Sequence, residues 1–198
     1  MDETCLATPL TESLNVAGGS PGRARVILLF VLDGLRPDAL NSGDTPTLFR
    51  LRQEWVHYLN SHAVFPTVTR VNAAAIGTGA YSRTNGIVSN VMYVPEVNQR
   101  RPFSLEAVSN GRLVLVKTLA EHLQEHALLL AVVSSGSTGT SLLLNPHALH
   151  GVGTLVNGYF DPGQLVAFPP EVNKTILDRF GPVPAKGGGS EPHRAAVD

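Results

Sequence analysis

An α/β fold with a mostly parallel sheet is what this sequence predicts, and three observations carry that expectation. Val26 to Leu32 (VILLFVL) is an unbroken apolar run rich in branched side chains. Leu128 to Val133 (LLLAVV) is a second such run. Neither alternates, which suits strands covered on both faces, as in a parallel sheet. Segments with helical spacing lie between and after them, the alternation that marks the α/β class.

Composition narrows the classes of function. The chain has 198 residues, 43% of them hydrophobic and 16% charged, which describes a globular protein with a real core. Its net charge of −1, without a basic stripe, argues against a nucleic-acid-binding surface. The single cysteine, Cys5, supplies neither a disulfide framework nor a thiolate metal site. The opening residues have no basic stretch leading into an apolar one, so no export signal is read there. No apolar run approaches the roughly 20 residues of a membrane span. As written, the expectation is a soluble, cytoplasmic chain. In a secreted protein, Asn173-Lys174-Thr175 would be a glycosylation sequon.

In chain order, residues 1–24 read as a flexible lead-in and 25–198 as a single domain without repeats. The first apolar run ends in Asp33-Gly34, and a carboxylate leaving a central strand stands where open α/β sheets place ligands. The plainer alternative is an Asp that only caps a turn. Asp44-Thr45-Pro46 opens a helix through Gln53, with proline in the first turn and Leu48 and Leu51 toward the core. Trp55 to Val64 is expected to form a strand.

Phe65 to Asn90 (FPTVTRVNAAAIGTGAYSRTNGIVSN) is the stretch with most chemical content. A helix is expected over Val71 to Gly79, with Thr69 at its start, where orphan N–H groups and the dipole favour an anion. Asn72 follows one turn later on the same face. The bland alternative makes Thr69 an ordinary N-cap. A loop with a short hairpin should carry the chain to Gly111.

Val114 to His126 spaces its apolar residues as an amphipathic helix. His122 and His126 fall on one face, but without a third ligand they read as a solvated surface. Ser134 to Thr140 is a small-residue loop that lacks the lysine of a nucleotide-binding P-loop, so it reads as a tight turn. Asn145 to Gly153, with His147 and His150, is expected as loop, and Glu171 to Phe180 as helix. The tail PVPAKGGGSEP is turn-rich, and His193 to Asp198 looks like the start of another helix.

Taken together, Leu32-Asp33-Gly34-Leu35-Arg36-Pro37-Asp38, Phe65-Pro66-Thr67-Val68-Thr69 with Asn72, Thr78-Gly79 and Gly86-Ile87-Val88-Ser89-Asn90 resemble the type I phosphodiesterase/nucleotide pyrophosphatase family of the alkaline phosphatase superfamily. The motifs stand in the family's order over residues 25–198. The resemblance implies a three-layer α/β/α fold and hydrolysis of phosphodiester or nucleotide pyrophosphate bonds in a small substrate. It makes Thr69 the nucleophile, passing through a phosphothreonine intermediate, and Asn90 the amide that donates to a phosphoryl oxygen. It makes Asp33 a metal ligand, with Thr69 also contacting metal, in a site of two Zn2+ ions. Such a pair, about 4 Å apart, stabilises both the attacking and the leaving oxygen. Arg70-Val71-Asn72-Ala73 departs from the family's Pro-Asn-His, so Asn72 receives no firm role.

A larger departure concerns the remaining ligands. The family draws them from an Asp followed four residues later by a His, an Asp-His pair and one more His. After Asn90 this sequence has neither of the first two patterns, and only His193 stands near its end. Two ligands do not fill two zinc sites, which take three or four protein donors each. The sequence therefore predicts the N-terminal half of the domain, with weak or partial metal binding. A complementing C-terminal half or a homo-oligomer is the partner this implies. The competing expectation is a catalytically silent α/β module that keeps the motif residues.

Overall fold

The computed structural model describes residues 26–92, 112–135, 137–161 and 164–181. The expectations for the lead-in, the hairpin before Gly111 and the tail from Pro182 onward lie outside the described residues. The chain divides into two compact units, Met1–Glu54 and Trp55–Asp198.

In the first unit, Val26 to Leu32 forms no strand, and every one of its side chains is exposed, from 51% at Leu32 to 86% at Ile27. This corrects the buried-strand expectation. Apolar content marks a segment suited to burial, but a strand exists only through its neighbours, and among the described residues none pairs with this one. The run ends in a turn in which the Leu35 N–H reaches the Leu32 carbonyl, with Gly34 at φ +73°. That conformation suits glycine.

Beyond the turn, Arg36 and Asp38 form a two-pronged ion pair, both bonds 2.9 Å, at the start of a short 3₁₀ turn, Pro37–Ala39. Asn41 then accepts from the N–H groups of Gly43 and Asp44 and leads into α1 (Pro46–Glu54). Thr45 takes the capping position: its carbonyl accepts from Phe49 N–H at 2.9 Å, and proline follows it. The helix is where the sequence put it, but it has no buried residue, and Leu51 is exposed. The core-facing expectation is therefore corrected for Leu51, while Leu48 is half-buried. Helical spacing identifies the helix, not what it packs against.

The second unit carries the hydrophobic core. Trp55 to Val64 is not a strand: Leu59-Asn60 turns, His62 bonds back to Asn60 at 2.6 Å, and Trp55, Val56, Tyr58 and Leu59 are exposed. Polar residues break the run before it can pair. Helix α2 (Thr69–Thr78) follows, ended by Gly79 at φ +66°, and then α3 (Ser82–Asn85), ended by Gly86 at φ +88°. Val71, Ala73 and Ala74 of α2 join Ile87, Val114 and Leu143 in one buried cluster. Removing a side chain such as Val71 from water is worth roughly 1.5–3 kcal/mol.

Helix α4 (Leu119–Glu125) begins five residues later than expected. Thr118 stops it there through a capping box with Glu121, a Thr-x-x-Glu signal that apolar spacing alone does not reveal. Strand β1 (Ala131–Ser134) overlaps the second apolar run but alternates between exposed and half-buried, so it is not covered on both faces.

Helix α5 (Thr138–Leu144) occupies part of the expected loop, and Pro146–His150 is a 3₁₀ helix rather than irregular chain. Strands β2 (Thr154–Asp161) and β3 (Gln164–Phe168) complete a three-stranded sheet in the order β1-β2-β3. β1 and β2 are parallel with Ser134 opposite Asn157, and β2 and β3 antiparallel. The sheet is mixed rather than mostly parallel. Its two last strands were missed, although Pro162-Gly163 between Leu155-Val156 and Leu165-Val166 is a hairpin signal. Helix α6 (Pro170–Phe180) is where the sequence predicts it.

β1, α5 and β2 make one βαβ unit, and α5 packs on α2 through Gly77. A Cβ at Gly77 would stand 2.3 Å from the Leu143 carbonyl oxygen. Only glycine permits that approach, which fixes α2, and with it Thr69, on the unit's frame.

Candidate active site

Thr69 is the first residue of α2, is solvent-exposed, and follows Val68 in the N-cap position. The capping alternative for Thr69 therefore fails: its backbone is already helical. The approach to the helix is an arch from Val64 to Val68, and Asn72 clamps both its ends. Asn72 Oδ1 accepts from Val64 N–H at 2.8 Å, while Nδ2 donates to the carbonyls of Val64 at 3.2 Å and Val68 at 3.1 Å. The Asn72 amide is thus used on the incoming loop and does not face a ligand beside Thr69.

Asn90 returns to the same helix end. Its Oδ1 accepts from the backbone N–H of Arg70 at 2.8 Å, and the Arg70 guanidinium donates to the Asn90 carbonyl at 2.7 Å. Helix α2 spans ten residues, about 15 Å at 1.5 Å per residue. The chain must turn twice to come back along it. Gly79 and Gly86 make those turns in the left-handed region, and a Cβ on Gly86 would press on Leu115 at 2.9 Å. Asn85 locks the second turn: buried, it donates to the Ala80 carbonyl and accepts from Ile87 N–H, both at 2.8 Å. Sequence reasoning passed over Arg70 and Asn85, and the Asn-Gly pair at 85–86 was the available signal for the turn.

The site end of α2 has no acidic residue in its first turn. The helix dipole and the Arg70 guanidinium favour an anion there. Among the sequence-predicted residues, Thr69 and Asn90 come together at this end. Asp33 belongs to the first unit, on the exposed turn after the apolar run.

The histidines lie elsewhere. His122 and His126 are exposed, with His126 Nδ1 3.0 Å from the His122 carbonyl oxygen. His147 meets Glu121 at 3.2 Å, and its ring centroid is 5.7 Å from that of His150. Burial alone would raise the Glu121 pKa. Hydrogen bonds from Thr118 N–H and hydroxyl, with His147 and Arg112 nearby, outweigh it and hold the carboxyl below its ordinary value.

Thr69 and Asn90 thus stand at the N-terminal end of one helix, joined through Arg70, on an α/β frame. The chain belongs to the type I phosphodiesterase/nucleotide pyrophosphatase family, whose model matches residues 27–170. It is similar to the venom phosphodiesterase of Naja atra, 41% identical over 88 residues, which are 43% of this chain and 10% of that protein. It is 38% identical over 82 residues to the Homo sapiens ectonucleotide pyrophosphatase/phosphodiesterase family member 1, covering 40% of this chain and 9% of the relative. The matched part is thus about a tenth of the length of these curated relatives. No solved structure matches the chain.

Proposed function

We propose that this chain carries the nucleophile half of a phosphodiester- or nucleotide-pyrophosphate-hydrolysing site. The observation that carries this reading is the Asn90 carboxamide bonded to the N–H that follows Thr69. The Thr69 oxygen attacks phosphorus; an O–P bond forms as the bond to the leaving oxygen breaks. The hydroxyl proton passes to solvent, and the leaving group takes one up. Water then cleaves the threonine ester. With Oδ1 engaged by Arg70, the Asn90 carboxamide presents Nδ2 as its donor, suited to a phosphoryl oxygen whose charge grows during attack.

The family resemblance implies two divalent metals, zinc in particular, with Asp33 as a ligand. Two oxygen donors do not satisfy such a pair. Among the described residues no group of three or more His, Cys, Asp or Glu side chains is placed to hold a metal. The described donor set therefore does not fit the two-zinc centre by itself. We take a complementing segment, in the same polypeptide or in trans, as the source of further ligands. The chain alone should be a slow hydrolase.

The test is steady-state hydrolysis of bis(p-nitrophenyl) phosphate by the purified chain beside Thr69→Ala and Asn90→Ala. Asn90→Ala should lower kcat by about a hundredfold or more, as removal of an oxyanion donor does. Thr69→Ala should abolish turnover. Retained turnover in Thr69→Ala would show a different nucleophile, and phosphate binding without any turnover would favour a silent anion-binding module.

A further inference from the structure

The residue after Thr69 is an arginine, and both its main chain and its side chain bind Asn90. We propose that Arg70 is a positioning residue that sets the orientation and reach of the Asn90 carboxamide. The inference rests on Thr69 and Asn90 being the reactive pair proposed above.

A carboxamide has two nearly isosteric ends, one donor and one acceptor, and can flip between them. The Arg70 N–H, 2.8 Å from Oδ1, selects one orientation, because the flipped group would set two N–H donors face to face. That leaves Nδ2 as the outward end. Any residue except proline at position 70 would supply this N–H, so it does not explain the arginine.

The guanidinium does the second job. Ile87, at 3% exposure, and Met92, packed on the same buried cluster, anchor the two ends of this segment, while Val88 and Val91 between them are 54% and 71% exposed. Apolar packing therefore holds the ends of the segment and leaves Asn90 itself to its polar contacts. Arg70 Nη1 binds the Asn90 carbonyl at 2.7 Å, a charge-assisted bond that pins the main chain from which the carboxamide extends. Both contacts are partly buried and join residues twenty apart in sequence.

The experiment is a titration of the full chain with inorganic phosphate, followed by nitrogen-15 NMR of the Asn90 carboxamide. The variants are Arg70→Met, Arg70→Lys, Asn90→Ala and the Arg70→Met/Asn90→Ala double substitution. Arg70→Met keeps the backbone N–H and the apolar stem but removes the charge and the donor. It should move the carboxamide resonances before any phosphate is added, leave core amides such as those of Ala74 and Leu142 in place, and weaken phosphate roughly tenfold. Arg70→Lys should recover part of the affinity. In the Asn90→Ala background Arg70→Met should cost little more.

Unmoved carboxamide resonances with wild-type affinity in Arg70→Met would overturn the proposal. So would an equal loss with and without the Asn90 side chain, since Arg70 would then act on phosphate itself. If phosphate perturbs neither Thr69 nor Asn90 in the unsubstituted chain, the reactive-pair reading fails and takes this one with it. A phosphate-responsive Asn90 that is indifferent to Arg70 overturns this one alone.

Discussion

Asn72 and Val64 are joined by both ends of a single carboxamide, Oδ1 to N–H at 2.8 Å and Nδ2 to the carbonyl at 3.2 Å. The arch that delivers Thr69 to its helix is therefore closed by a residue inside that helix. Asn72→Ala opens it and leaves the Val64 peptide without this partner. The expected cost is about 1–3 kcal/mol, measured by urea denaturation. Phosphate affinity should fall with it, because Thr69 loses its fixed approach. Asn72→Asp keeps the acceptor for Val64 N–H but turns a carboxylate oxygen toward the carbonyls of Val64 and Val68, and should cost at least as much as the alanine.

Gly77→Ala tests the packing of α2 on α5. Helix propensity favours alanine by about 1 kcal/mol. The added Cβ would sit 2.3 Å from the Leu143 carbonyl and 3.1 Å from that of Leu144, both backbone atoms that cannot swing aside. Overpacking of this kind costs about 1–3 kcal/mol, so the variant should be net destabilised in thermal melts. A more stable Gly77→Ala would mean that the two helices do not approach as described.

The capping box of α4 predicts a pH dependence. Glu121 is held below its ordinary value of 4.5, so its contribution is complete above that value and is lost as pH falls through the lowered folded value. Thr118→Ala should cost about 1 kcal/mol at neutral pH, as cap removal generally does. The penalty should shrink well below pH 4.5, where the carboxylate that completes the box is protonated in both states. Paired urea titrations at the two pH values measure it. A pH-independent penalty would contradict the box.

The sequence made the family and the helices easier to read than the sheet. The helix after Thr69 followed from local signals, because turns are local and Gly79 and Gly86 stand where the chain must turn, whereas Asn90 was singled out by the family resemblance alone. Val26 to Leu32 was misread because its strand character depends on neighbours, and among the described residues it pairs with none. β2 and β3 escaped notice because short strands around a turn carry a weak periodic signal. Arg70 could not have been singled out: its role exists only once Asn90 has folded back onto it.

The most direct test of the central claim is acid quenching of the chain during hydrolysis of bis(p-nitrophenyl) phosphate, with peptide mapping of the trapped protein. A phosphoryl ester on the Thr69 side chain, absent from Thr69→Ala and reduced in Asn90→Ala, is the predicted result. Turnover that continues in Thr69→Ala, with no adduct on the Thr69 peptide of the unsubstituted chain, would contradict it.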